Sequence, residues 1–197
     1  MKQWSLLLAG LIVVGIAGMA GYRLQLQQTN APQPLPTATD AAEDSVKAVV
    51  GQPRPAFELP DTDGKLRHIK EWDGQILAVN FWATWCEPCK VEVPEFIELQ
   101  DAYRDAGVTF IGVAIDSKDN VTVFAEDFGI NYPLLVGQQA AIDAARDYGN
   151  KAGALPYTVF VEPGGEVVYA HYGRIHQAEV EEILTVMLAA AAVPPLD

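Results

Sequence analysis

The stretch Ile76-Leu77-Ala78-Val79-Asn80-Phe81-Trp82-Ala83-Thr84-Trp85-Cys86-Glu87-Pro88-Cys89-Lys90 decides how the rest of the chain reads. Its first seven residues are almost wholly apolar, the pattern of a strand buried on both faces. From Pro88 to Ala106 the pattern turns helical. Phe96, Leu99, Gln100 and Tyr103 form one stripe, Glu95, Glu98, Asp101 and Asp105 form a solvated face, and Gly107 closes the helix. Cys86 and Cys89 therefore lie where a buried strand gives way to a helix N-terminus. A thiol there meets the positive end of the helix dipole and free backbone N–H groups, and both favour the nucleophilic thiolate. Cys86 is expected at an exposed entrance, and Cys89, nearly a turn later, deeper and within disulfide reach. Pro88 suits the first helical turn, where its missing N–H costs nothing. A C-x-x-C between strand and helix reads as a redox pair.

Outward from this stretch the chain alternates strands and helices. Ala56–Leu59 and Leu66–Ile69 flank Asp61-Thr62-Asp63-Gly64, the pattern of a hairpin. Val108–Ile115 is a second buried strand. Asn120–Phe128 reads as a short helix capped by Asn120. Tyr132–Val136 reads as a strand and Ala140–Tyr148 as a helix ending at Gly149. Tyr157–Glu162, Pro163-Gly164-Gly165 and Glu166–His171 make a second hairpin. Gln177–Ala192 is the last helix, with Val180, Ile183, Leu184, Met187 and Leu188 at helical spacing. Crossover units of this kind give an α/β domain with a largely parallel centre, and the late hairpin makes the sheet mixed.

The full chain has 197 residues and a net charge of −13. Residues 1–50 balance three basic against three acidic side chains, so the whole charge belongs to residues 51–197. An acidic module lacks the Lys/Arg footprint that nucleic acid requires, and anionic lipid surfaces repel it. Two cysteines cannot build a disulfide-dense scaffold or fill a four-cysteine metal site. His68, His171 and His176 have no metal-ligand spacing to the cysteines. No glycine-rich dinucleotide loop is present, so no cofactor is expected beyond the cysteine pair itself.

Residues 1–24 read as a targeting segment. Lys2 precedes the uncharged run Trp4–Gly21, which is close to the length needed to cross a bilayer. Lys2 and the terminal amine outweigh Arg23, which keeps the N-terminus cytoplasmic and exports the rest. The run is either an uncleaved anchor or a signal peptide removed near Gly18-Met19-Ala20. Residues 25–50, with Pro32, Pro34 and Pro36, read as a flexible Pro/Gln/Ala-rich linker. Residues 51–197 form the globular domain.

The run from Asn80 to Lys90, with Pro94 beyond it and Leu155-Pro156 before the late hairpin, resembles the thioredoxin-like proteins. The opening Gly51-Gln52-Pro53-Arg54-Pro55-Ala56-Phe57 and the N-terminal run make the chain similar to the membrane-anchored thiol–disulfide oxidoreductases of the TlpA/ResA type, close to the cytochrome c maturation thioredoxins. The resemblance covers about residues 51–190. It implies a thioredoxin-like fold with an N-terminal β-hairpin and a central βα insertion near 108–136. It implies a redox domain in the periplasm, or outside the cytoplasm, tethered to the inner membrane (or soluble there after signal cleavage). Its implied partners are oxidised substrate proteins and a membrane thiol-electron donor of the transporter type.

The same resemblance implies that Pro156 is a cis-proline beside the cysteines, with Leu155 in the substrate-facing loop, and that Pro94 kinks the long helix. Glu92 matches an acidic residue near the active site. Read from its position alone, it is either a solvated first-turn carboxylate or a buried base that handles the proton of Cys89. Trp85 is expected to line the substrate surface, and Trp72 and Trp82 to lie in the core. The chain departs from cytosolic thioredoxins at Asn80, where they carry a buried Asp, and at Glu87, where they carry Gly. Glu87 is expected to disfavour thiolate at Cys86 weakly. Two other classes remain open: a non-catalytic tethered module for copper delivery or chaperoning, and a peroxiredoxin-like peroxidase. Met1, Met19 and Met187 are misplaced for copper, and the upstream Pro/Thr spacing of a peroxidatic cysteine is absent.

Overall fold

The computed structural model describes residues 38–192; the segment expected to be an anchor or signal lies outside them. A five-stranded mixed sheet forms the centre, in the order β5-β4-β3-β6-β7. Strands β3 (Ile76–Trp82), β4 (Val108–Ile115) and β5 (Leu134–Gly137) run parallel, β6 (Tyr157–Val161) is antiparallel to β3, and β7 (Val167–Tyr172) is antiparallel to β6. Every residue of β3 is buried, as its unbroken apolar run requires. The expected N-terminal hairpin forms a separate two-stranded sheet, β1 (Glu58–Pro60) with β2 (Leu66–His68). Its turn is held by the Asp61 carboxylate, which accepts from the N–H groups of Asp63 and Lys65, and Gly64 supplies the positive φ of +87°.

Alternation along the strands gives the sheet two apolar faces. One packs Ala78, Trp82, Phe110 and Phe160 under helices α2 (Glu87–Tyr103), α3 (Lys118–Phe128) and α5 (Gln177–Ala191). On α2, Phe96, Leu99 and Gln100 are buried, as the sequence stripe required. The buried Gln100 amide is satisfied, donating to Val108 O and accepting from Phe110 N–H. The second face packs Val79, Phe81, Val159 and Val161 under helix α4 (Gln139–Asp147), with Trp72 and Leu59 from the hairpin region.

Two local expectations need correction. Residues 25–50 were expected to be an extended tether, yet Ala38–Val49 forms helix α1. Val46 and Val49, three residues apart, pack on the second face of the core, and Ser45 is buried. The averaged polar composition of the linker hides this short apolar spacing. Helix α3 starts at Lys118 and is capped by Ser117, whose hydroxyl accepts from Asn120 N–H, so Asn120 is not the cap. Pro94, expected to kink the long helix and interrupt its ladder, sits inside the helical span Glu87–Tyr103. It removes one ladder hydrogen bond without ending the helix.

Candidate active site

Strand β3 ends at Trp82, and Ala83-Thr84-Trp85 carry the chain to Cys86, the N-cap of α2. Cys86 and Cys89 form a disulfide with their Cα atoms 5.3 Å apart. Pro88 stands in the first turn of the helix. The expectation that Cys86 sits at an open entrance is corrected: only 5% of it is exposed, against none of Cys89. The ordering of the two sulfurs by depth is as expected. Trp85 beside them is 64% exposed, whereas Trp82 is fully buried.

The antiparallel register Phe81↔Tyr157 brings the start of β6 alongside the end of β3. Leu155-Pro156 therefore arrives next to the cysteine loop, and this peptide bond is cis. Pro156 O accepts from Gly173 N–H at 2.8 Å, which ties the proline loop to the turn after β7. A groove of about 280 Å³ runs between Trp85, Ile115, Ile142, Arg146 and Leu155.

Glu92, one turn beyond Cys89, is buried, with 1% exposed. Its Oε2 accepts from the Asn80 amide and its Oε1 from Ile175 N–H, each at 2.9 Å. Burial pushes its pKa up to about 8, against the opposing pull of those two donors. Of the two readings the sequence left open, the solvated first-turn carboxylate is excluded by this burial. Asn80 also donates to Thr158 Oγ1 at 2.9 Å, so the uncharged amide bridges β3, β6 and α2. Glu87 is exposed and paired with Lys90 Nζ at 2.6 Å, so its charge reaches Cys86 partly cancelled.

Some residues at this end of the sheet are not among those the sequence singles out. The Asp116 carboxylate, just after β4, accepts from Thr84 N–H, Thr84 Oγ1, Ser117 N–H and Asn120 Nδ2. The Arg174-Ile175 turn contributes the backbone donor to Glu92 and an ion pair from Arg174 to Glu95 at 2.5 Å. Asp116-Ser117 at a strand end before a helix was a readable capping signal, but the partner Thr84 is 32 residues away. Among the described residues, no group of three or more His, Cys, Asp or Glu side chains is arranged to hold a metal ion.

A strand-end C-x-x-C capping a helix, opposite a cis-proline, in a mixed sheet of this order defines a thioredoxin-fold thiol–disulfide oxidoreductase. The sequence profile of the AhpC/TSA family matches residues 50–170. The chain is 32% identical over 142 residues to the thiol-disulfide oxidoreductase ResA of Geobacillus thermodenitrificans (strain NG80-2), covering 72% of this chain and 79% of that one. It is 29% identical over 151 residues to ResA of Bacillus subtilis (strain 168), covering 76% and 81%. Among solved structures, a thiol:disulfide interchange protein of the thioredoxin family from Chlorobium tepidum TLS superposes with a TM-score of 0.62 at 29% identity, covering 69% of this chain and 95% of that one. The chain belongs to the AhpC/TSA family, and within it to the thiol–disulfide oxidoreductases of the TlpA/ResA type.

Proposed function

We propose that this chain reduces protein disulfides outside the cytoplasm, tethered to the inner membrane by its N-terminal segment. The observation that carries the reading is the Cys86–Cys89 pair at the α2 N-terminus with a buried Glu92, hydrogen-bonded to Asn80 and Ile175 N–H, one turn behind it. In the reduced protein the Cys86 thiolate attacks a substrate disulfide, one substrate sulfur leaves as thiolate and takes a proton, and a mixed disulfide forms. Glu92 in its ionised form then takes the proton of Cys89, the Cys89 thiolate attacks the Cys86 sulfur, and the second substrate sulfur leaves as a thiolate that takes up the proton Glu92 gives back, which restores the Cys86–Cys89 disulfide. The substrate gains two electrons and two protons, and the chain loses them.

Trp85 and Leu155 line the groove an extended substrate segment would occupy, cis-Pro156 follows Leu155 directly, and Pro88 and Glu87 shape the first turn that holds the thiolate. Two electrons must return to the pair in an oxidising compartment, so the donor is a membrane thiol carrier. Apocytochrome c during haem attachment and misoxidised exported proteins are the substrate classes that fit. Among the described residues no helix is long and apolar enough to cross a membrane; the support for tethering is the uncharged run Trp4–Gly21.

The test is Cys89→Ser in the full chain, expressed in its host. The expected result is a set of exported proteins bound to Cys86 by disulfides that vanish on reduction, with the chain in the membrane fraction. An exported, folded variant that traps nothing would overturn the reading. Rapid peroxide consumption by the wild-type chain would replace it with a peroxidase.

A further inference from the structure

The loop that delivers Cys86 to its helix is held from a strand that carries neither cysteine. Thr84 donates twice to one oxygen of Asp116: its N–H at 3.2 Å and its hydroxyl at 2.5 Å. The other oxygen accepts from Ser117 N–H at 2.7 Å and Asn120 Nδ2 at 2.8 Å. Asp116 is 9% exposed. The four donors come from two segments that the carboxylate ties together, the loop of residues 83–86 and the β4–α3 junction with the first turn of α3. Inside the first loop Cys86 N–H is already used, donating to Ala83 O at 3.2 Å. Thr84 is thus the clamp between a backbone turn that ends on Cys86 and a carboxylate rooted in β4.

We propose that Asp116, acting through Thr84, is a positioning residue that holds Cys86 at the N-cap of α2 and so keeps its thiolate in the field of the helix N-terminus. The stabilisation of an anion by a helix end falls off within a turn, and three residues between β3 and the cap leave the sulfur free to swing unless the turn is pinned. Burial pushes the Asp116 carboxyl pKa up, but its four donors more than offset this and hold it below the ordinary carboxylate range, which favours the charged acceptor.

The inference rests on Cys86 being the attacking thiol. The charged groups in the first turns of the helices meeting here are Glu87, Lys90 and Glu92 on α2 and Lys118 and Asp119 on α3, and Arg146 of α4 lines the groove beside Trp85. Thr84→Val removes the hydroxyl donor without altering any of these charges. The reduced full-length chain is alkylated with iodoacetamide across pH, and modification of Cys86 is followed by mass spectrometry. The expected half-point for Thr84→Val lies about half a pH unit above wild type, a roughly threefold loss of thiolate below it, with Thr84→Ser back at the wild-type value. Superimposable wild-type and Val profiles, or a Ser profile displaced as far as that of Val, would overturn the proposal.

Should the Val variant not fold, Asp116→Asn serves. Loss of a nearby negative charge alone moves the half-point down, whereas loss of the clamp moves it up, so a downward or absent shift sinks the idea. Reduction of insulin disulfides by the wild-type chain reads the functional proposal separately, so each can fail without the other.

Discussion

Glu92 is the residue whose chemistry most depends on its surroundings. With its pKa raised to about 8, the folded state holds a proton that the unfolded chain, with a carboxyl near 4.5, gives up earlier. The folded state therefore binds more protons between those two values. The stabilisation this gives is fully present below about pH 4.5 and is lost as pH rises through about 8. Glu92→Gln should flatten that slope in urea unfolding of the oxidised chain; an unchanged slope would mean that Glu92 is ionised throughout. If Glu92 takes the proton of Cys89, the same variant should slow resolution of the mixed disulfide by about a hundredfold, read by stopped-flow with a protein disulfide. Glu87 is the contrasting case. Its carboxylate is exposed and paired with Lys90, so Glu87→His should raise the reduction potential by less than about 30 mV, the equivalent of 1.4 kcal/mol for a two-electron couple. A larger rise, or any fall, in a glutathione redox titration would contradict this screening argument.

At the scale of elements, the site depends on how tightly the side chains of β3 and β5 close over β4. Gly112 lies opposite Asn80 in the β3–β4 register. A Cβ there would come within 2.6 Å of Leu134 Cδ2 and 2.9 Å of the Trp82 indole nitrogen. Both neighbours are themselves buried, so neither can retreat freely. Gly112→Ala should cost about 1–3 kcal/mol by overpacking, measured by urea unfolding. A variant as stable as wild type would show that Trp82 and Leu134 can repack. The register at β6 serves function in a different way. Because β6 runs antiparallel to β3, its first residues meet the last residues of β3, and this brings Leu155-Pro156 to the cysteine loop across a separation of about 70 residues in sequence.

For the whole molecule, helix α1 changes the boundary of the folded unit. Deleting residues 1–50 removes Val46 and Val49 from the second face of the core. The expected loss is about 1–3 kcal/mol of stability with an unchanged reduction potential, since the cysteines lie under the other face of the sheet. Equal stability of the truncated and full chains would mean that α1 contributes no packing in solution.

The redox pair, its helix, the buried central strands and both hairpins were legible because each is written in short-range patterns: an apolar run, a 3.6-residue stripe, an Asp-Gly or Gly-Gly turn, a two-residue gap between cysteines. Resemblance to known sequences supplied the expectation that Pro156 is cis. Long-range proximity was not legible. Burial of Glu92 depends on Asn80 and on the N–H of Ile175, 83 residues away, and the anchoring of Thr84 depends on Asp116. A carboxylate followed by apolar residues looks the same in sequence whether water or a backbone amide faces it. Local pattern thus determined which residues could do redox chemistry. Only the packing of the sheet against its helices decided which carboxylate loses its water, because desolvation is a property of everything that surrounds a group and not of its neighbours along the chain.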